Sequence, residues 1–553
     1  MLAARLFYWQ IIKADSLVGL ASRQYRMETT LYAKCGQIFS ADGFPLVLNN
    51  DAYLLYWQQE NPEQVFESDS KKLDKLAELT AGSKLKEATE EADKKEIIQA
   101  EKDKYDLLRQ NRFVYRELVH RLDVEQKQKI EELDIPGLGF SRESIRYYPE
   151  ASMAAYLLGF VGKDEEGADT GYFGLEGYYN NLLKGKSGFY KREKDAFFQP
   201  ILTGLNLVAE KKDGMDLKLT IDRSIQFLSE NELKKALKTY GAKSGTVLVM
   251  NPKNGEILAM ASQPGYEPDH YWEYSSGDFK NPAVADTYEP GSTFKVLTMS
   301  AGIDTGAVKA DTKCDICEGP YQLDKYTINT WNNKYFPDST MTDVIVHSDN
   351  VGMVFVSQKI KDGDFVKYLN SFGFGQKTGL DLQEEISAPL RREWSYVDLA
   401  TASFGQGIAV TPIQMLRAVA AIANGGILPN PHLLLTYQNT DEKRVLSWDT
   451  CTTIKEMMVK AIEEGESKWI KPQGIKVAGK TGTSQIPIAG HYDKDKTIAS
   501  FIGFAPADDP QFIILTILTE PSSSIWGSET AAPLFFNVLK RIMVYKGFGA
   551  SGR

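Results

Sequence analysis

Cysteine is scarce: Cys35, Cys314, Cys317 and Cys451 are the only four in a chain of 553 residues. That excludes a disulfide scaffold, which a chain able to bury large cores does not need. Cys314 and Cys317 are the one close pair. With five histidines, no H-E-x-x-H and no second C-x-x-C, they read as a local disulfide or two spare thiols rather than as half of a zinc site. No strand leads into a helix there, which argues against a thioredoxin-like redox pair. Basic charge is also short. Lys and Arg number 64 against 74 Asp and Glu, a net charge of −10, the reverse of what neutralises a phosphate backbone, so nucleic acid is not expected as a partner. Long apolar runs are missing as well. Met1–Ile12 is apolar and aromatic, but twelve helical residues cover only about 18 Å of the roughly 30 Å bilayer core. It also lacks the basic start and small-residue cleavage site of a signal peptide. On these residues alone it reads as a short amphipathic helix packed on the protein, or as the outer end of an anchor.

What is present is a globular composition, 42% apolar, 25% charged and 11% aromatic, which excludes disorder and collagen-like repeats. A single core rarely grows past about 300 residues, so the chain should divide. From Glu67 to Leu133 it is dense in Lys, Glu and Asp, with apolar residues such as Tyr115, Leu118, Val119 and Leu122 at helical spacing, and reads as solvated helices. Pro136-Gly137-Leu138-Gly139 breaks that pattern, and an α+β stretch punctuated by glycines from Gly159 to Gly177 follows. Asp216–Ile221 alternates like a strand and leads into a helix from Ser224. Thr246–Met250 and Glu256–Ala261, joined by Asn251-Pro-Lys-Asn-Gly255, read as a β-hairpin. A mainly helical region runs from about Ser292 to Glu466. Three apolar strands, Ile475–Ala478, Ile498–Phe504 and Phe512–Leu518, and a helix near Ala531–Val544 close the chain. Strands at both ends of a domain with helices between them predict one antiparallel sheet with a helical lobe inserted.

Ser-x-x-Lys occurs at Ser68/Lys71, Ser83/Lys86 and Ser292/Lys295. The first two lie in charged, solvated sequence, where neither side chain would be desolvated. Ser292 follows Glu289-Pro290-Gly291 and precedes Val296-Leu-Thr-Met299, the opening of a buried helix. Helix N-terminal amides favour developing negative charge, and i, i+3 spacing puts Lys295 on the face of Ser292, supplying nucleophile and base together. A lysine acts as a base only when burial or a neighbouring cation lowers its pKa, so a second positive group is expected nearby. Ser348-Asp349-Asn350 and Lys480-Thr481-Gly482 can complete the set. Ser348 can then relay a proton, Asn350 can hold a peptide amide, and Lys480 would provide the positive field. The Thr481 and Thr483 hydroxyls can hold a substrate carboxylate, and Gly482 would let a substrate backbone approach. Lys377-Thr378-Gly379 matches the last motif too, but lies in a glycine-rich loop, whereas Lys480 continues an apolar strand.

With these residues in place the sequence resembles the class B penicillin-binding proteins, monofunctional D,D-transpeptidases of bacterial wall synthesis. The similarity includes Leu219-Thr-Ile-Asp222, Asn251–Ala259, Tyr288–Lys295, Ser403-Phe-Gly-Gln-Gly-Ile408 with Thr411-Pro412, and Gly479–Thr483. It extends to Arg146-Tyr-Tyr-Pro149, Gly159-Phe-Val-Gly162 and Gly174-Leu-Glu176. One departure is visible: Cys35-Gly-Gln-Ile-Phe-Ser-Ala-Asp-Gly43 replaces the family's Arg-Gly, Ile and Asp-Arg-Asn-Gly.

The resemblance implies a multidomain α+β protein: a remnant of a membrane anchor at 1–12, an elongated N-terminal α+β pedestal at 13–206, and a penicillin-binding transpeptidase fold at 207–553. The last is a five-stranded antiparallel sheet flanked by helices, with an all-helical lobe. It implies Ser292, Lys295, Ser348, Asn350 and Lys480 as catalytic residues, Thr481, Gly482 and Thr483 as substrate-binding residues, and no metal or cofactor. Its substrates are peptidoglycan stem peptides ending in D-Ala-D-Ala, and β-lactams acylate the same serine. The implied setting is the bacterial cell membrane, with one N-terminal span beginning outside this sequence and an extracytoplasmic catalytic domain. The implied partners are a SEDS-type glycan polymerase and divisome proteins, Ser348–Met353 and Ser403–Gly407 looking more like the division-associated group than the elongation group. A class A β-lactamase would need Glu in Glu-x-x-Leu-Asn, but Leu48, Leu205 and Leu369 are preceded at that position by Pro45, Leu202 and Val366. A β-lactam sensor would leave the pedestal unexplained, and a non-catalytic wall-assembly scaffold would leave every reactive side chain without a use.

Overall fold

The computed structural model describes residues 2–548 apart from 16, 18–25, 59–65, 67, 68, 83–90, 111–114, 166, 194–206, 362, 438–441, 471–473, 489 and 490. Ser68, Ser83, Lys86, Leu202 and Leu205 thus lie outside the described residues. The chain packs as two units, one of Met1–Gln37, Val47–Tyr147 and Asn181–Asp216, the other of Ile38–Leu46, Tyr148–Asn180 and Leu217–Arg553.

In the first unit, the long strand Pro45–Gln58 pairs antiparallel with Tyr115–Leu122 and with Leu138–Tyr147. Tyr115–Leu122 is therefore a strand, not the helix its spacing predicts. Two bulges in its register, at Tyr53/Leu55 and Leu55/Tyr56, let Val119 and Leu122 pair with Leu55 and Tyr53, so irregular alternation mimics a helical period. Nor are the neighbouring helices Ser70–Thr80 and Glu91–Gln110 solvated all round. Leu73, Leu76, Ala77 and Tyr105 join Leu55, Trp57 and Phe66 in a small core. Leu2–Phe7 and Tyr8–Ile12 form two short helical turns whose Phe7, Trp9, Ile11 and Ile12 side chains are exposed. Among the described residues no helix is long and apolar enough to cross a membrane.

The second unit is built on α1 (Arg223–Tyr240), β1 (Ser244–Met250), β2 (Ile257–Gln263), α2 (Lys295–Asp304), α3 (Asn350–Lys359), α4 (Pro412–Ala423), α5 (Trp448–Glu463), β3 (Ala478–Ile488), β4 (His491–Ala505), β5 (Phe512–Thr519) and α6 (Ala531–Tyr545). The sheet is antiparallel in the order β2-β1-β5-β4-β3. Strand β5 is buried almost throughout, which is why it reads as an unbroken apolar run. On one face α1 and α6 pack through Ile225, Leu233, Leu534 and Phe535 onto Val247, Val249, Phe501 and Ile514. Asp222 caps α1 by accepting from the Ile225 amide, and Gly241 ends it at φ +60°. The edge strand β2 is closed by Gln226 of α1, whose amide accepts from the Met260 N–H at 2.7 Å and donates to its carbonyl at 3.0 Å.

Three expected strands have different limits, β4 beginning at His491 rather than at Ile498. Of Asp216–Ile221 only Leu217–Lys218 is strand, parallel to Ile38–Phe39. Ile475–Val477 leads into β3 rather than forming it, so the Lys480 motif occupies the strand's opening turns of register instead of following it. The Tyr148–Asn180 segment belongs to this unit through an aromatic cluster in which Phe160 stacks on Tyr271 at 4.4 Å and meets Phe279 at 4.7 Å. Cys314 and Cys317 are bonded to each other.

Candidate active site

Ser292 does not open an α-helix directly. It sits in a 3₁₀ turn, Gly291–Phe294, that feeds α2. Three residues per turn eclipse positions i and i+3, which keeps Lys295 under the serine. The turn is locked from several sides. Thr293 Oγ1 donates to the Pro290 carbonyl at 2.7 Å, and the Gly291 N–H donates to the Gly405 carbonyl at 3.1 Å. Glu289, just before the turn, accepts from the Gly407 N–H at 3.1 Å and from the Tyr492 hydroxyl at 3.2 Å. A Cβ at Gly291 would lie 2.8 Å from the Thr483 carbonyl oxygen, so the turn rests on β3.

Lys295 is fully buried and donates to the Ser348 carbonyl at 2.6 Å, to Asn350 Oδ1 at 2.7 Å and to Ser348 Oγ at 3.3 Å. Ser348 is held at φ +57°, a conformation costly for a non-glycine residue. Asp349 next to it caps α3, its Oδ1 accepting from the Val351 and Gly352 amides, while its Oδ2 is buried with no hydrogen-bond partner among the described residues. Asn350 donates to the Asn329 carbonyl at 2.9 Å. From β3, Lys480 reaches Ser348 Oγ at 2.9 Å, so one hydroxyl lies between two buried ammonium groups. Burial, and then the charge of Lys480, push the Lys295 pKa from 10.5 down to about 7; burial lowers that of Lys480 too.

These groups surround one cleft of about 210 Å³, lined by Ser292, Ser348, Asn350, Thr481 and Thr483, with Phe404, Gln406 and the Trp331/Trp526 ring pair at 5.1 Å on its walls. The two threonines differ. The Thr481 hydroxyl donates to Glu466 Oε2 at 2.9 Å, whereas Thr483 Oγ1 accepts from the Gly527 N–H at 2.9 Å and keeps its own proton for the cleft. At Gly482 a Cβ would come within 2.4 Å of Ser500 Oγ and 2.8 Å of Thr293 Cγ2, so the residue's smallness lets the serine turn and β4 close together there. Lys377 is exposed, and Thr378 beside it is tied to Glu385, away from this cleft. Sequence reasoning did not single out Glu466, the acceptor role of Glu289, Tyr492 or the two tryptophans. A larger cavity of about 620 Å³, between α1 and α6, contains none of the motif residues.

The transpeptidase-domain model of the penicillin-binding proteins matches residues 245–541, and the model of their dimerisation domain matches residues 30–219. Stage V sporulation protein D of Bacillus subtilis (strain 168) is 32% identical, over 97% of this chain and 82% of its own length. The chain belongs to the class B penicillin-binding proteins. Within that family it is also similar to peptidoglycan D,D-transpeptidase FtsI of Escherichia coli (strain K12), at 28% identity over 78% of this chain and 72% of that protein. Among solved structures, penicillin-binding protein 2X from Streptococcus thermophilus superposes with a TM-score of 0.74 at 25% identity, covering 94% of this chain and 80% of that one. The five-stranded sheet, its flanking helices and the helical lobe are the family's catalytic fold.

Proposed function

We propose that this chain is a serine D,D-transpeptidase that cross-links peptidoglycan stem peptides ending in D-Ala-D-Ala, and that β-lactams acylate it. The observation that carries this reading is the meeting of Lys295, Ser348 and Lys480 on one hydroxyl in the cleft that Ser292 lines. A lysine held near pKa 7 is a competent base at neutral pH. Lys295 takes the Ser292 proton as Oγ attacks the carbonyl between the two D-alanines. The Ser292 and Thr483 amides receive the oxyanion, and the proton returns to the leaving D-alanine through Ser348 and Lys480. Asn350 holds the donor peptide, Thr481 and Thr483 flank its carboxylate, and Gly482 admits its backbone. An amine from a second stem peptide then resolves the ester into a cross-link.

In this reading residues 1–12 are the outer end of a single membrane span, 13–206 form the pedestal and 207–553 the catalytic domain, outside the cytoplasm. The exposed apolar side chains of residues 6–12 support the first assignment. A SEDS-type glycan polymerase and divisome proteins are the partners, and septal or related wall synthesis is the setting; the similarity to a sporulation protein and to FtsI supports that choice. Labelling with a fluorescent penicillin tests the reading. The unmodified chain should label, Lys480→Ala should label slowly and Ser292→Ala not at all; a labelled Ser292→Ala protein would refute it.

A further inference from the structure

Glu466 lies in the turn that follows α5, in no recognisable motif, yet it lines the cleft. Its Oε2 accepts the Thr481 hydroxyl proton at 2.9 Å, and that same hydroxyl accepts from the Lys480 ammonium at 3.2 Å. Lys480 continues to Ser348 Oγ at 2.9 Å, and Ser348 Oγ to Lys295 at 3.3 Å. The result is an unbroken run from the base Lys295 to a carboxylate. Two buried ammonium groups sharing a hydroxyl need a counter-charge, because like charges at close range suppress each other's protonation. Among the described residues, the carboxylates acting on this pair are Asp349, at the start of α3, which acts on Lys295, and Glu466, in the turn after α5, which acts on both. Asp349 Oδ1 is committed to the first amides of α3. Among the described residues, Glu466 is the carboxylate that joins the run itself.

We infer that Glu466 is a positioning residue of the reaction: acting through the Thr481 hydroxyl, its carboxylate keeps Lys480 charged beside a neutral Lys295. The inference rests on the acyl-transfer reading above. The competent state has one proton on the lysine pair, carried by Lys480, so the rate of acylation should follow a bell, rising as Lys295 deprotonates and falling as Lys480 does. Glu466 raises the proton affinity of both lysines. Removing its charge lets each proton leave at lower pH, so both limbs of the bell slide in the acid direction together. A purely structural role would lower the height of the bell and leave its limbs where they are.

The test is the second-order rate of acylation of the full chain by a fluorescent penicillin between pH 5 and 10, for the wild type, E466Q, E466A and E466D. Both neutral variants should move both limbs down by about half to one pH unit, a few-fold loss of rate on the alkaline side. E466D, which keeps the charge, should leave them in place. Unmoved limbs in the neutral variants overturn the inference. If only one neutral variant folds, its limbs decide; if both fail to fold while E466D folds, the carboxylate serves the fold and the inference is again overturned. A wild type that is not acylated at Ser292 would instead refute the acyl-transfer reading.

Discussion

Lys295→Met should abolish acylation and, at neutral or acid pH, make the protein more stable. Lys295 is completely buried, and its pKa falls from 10.5 to about 7, through burial first and the Lys480 charge second. The unfolded chain therefore binds more protons than the folded one between those two values, and stability rises with pH across that window. Below pH 7 the full penalty is present; by about pH 10.5 it is gone. The gap corresponds to about 5 kcal/mol at 1.36 kcal/mol per pH unit. Methionine keeps the length and fills the same space without a charge. Against the gain stand the hydrogen bonds to the Ser348 carbonyl and Asn350 Oδ1, whose loss costs on the order of 1–1.5 kcal/mol each. The net is a stabilisation of about 2 kcal/mol at pH 6, turning into a comparable destabilisation near pH 10.

Chemical denaturation followed by tryptophan fluorescence reads this, because Trp331 and Trp526 line the cleft and report on the catalytic unit. The denaturation midpoints of wild type and variant should cross between pH 7 and 10. A variant less stable than wild type at pH 6, or a difference that does not change with pH, would show that Lys295 is not the strained base described. The wild type's acylation rate should fall about tenfold for each pH unit below 7, as the neutral form of Lys295 disappears.

Two further substitutions probe the support of the serine turn. Gly405→Ala places a Cβ 2.2 Å from the Gly291 carbonyl oxygen at a position with φ +81°, so Ser292 must move and acylation should drop at least about tenfold, read by penicillin labelling kinetics. Glu289→Ala leaves the Gly407 N–H and the Tyr492 hydroxyl without their acceptor and should cost about 1–3 kcal/mol of stability in a thermal melt while slowing acylation; Tyr492→Phe, which spares the Gly407 contact, should cost less on both measures.

Much of the catalytic unit was legible because its strands obey simple rules. The β1/β2 hairpin is announced by a Pro- and Gly-containing connection, and β5 by an apolar run that only a strand covered on both faces would carry. The errors come from partners that lie elsewhere in the chain. Tyr115–Leu122 carries a bulged alternation whose spacing coincides with that of a helix, and only its pairing with Pro45–Gln58 breaks the tie. The strand at Leu217–Lys218 is short because its partner, Ile38–Phe39, offers only two residues, a limit set almost 180 positions away. Strand β3 extends past the glycine-containing motif because β4 pairs with it through Thr483 and beyond, which glycine and threonine content would not suggest.

The motif residues could be recognised because each motif joins a reactive side chain to the backbone feature that aims it. In Ser292-x-x-Lys295 the spacing is itself the turn, in Ser348-Asp349-Asn350 the middle residue caps the helix that follows, and in Lys480-Thr481-Gly482 the glycine makes room for the serine turn. Glu466 and Glu289 have no such signature. Their partners lie 15 and 118 or 203 positions away, and any chain that brings an acceptor to the same spot would serve. Yet this unmarked layer holds the marked residues in place. A lysine one turn from a serine is common on protein surfaces, where it stays protonated and inert; Lys295 differs because burial, beside the second ammonium that β3 supplies, lowers its proton affinity. The motifs therefore name the groups of the proposed reaction, and the packing around them sets the proton affinities on which that proposal depends.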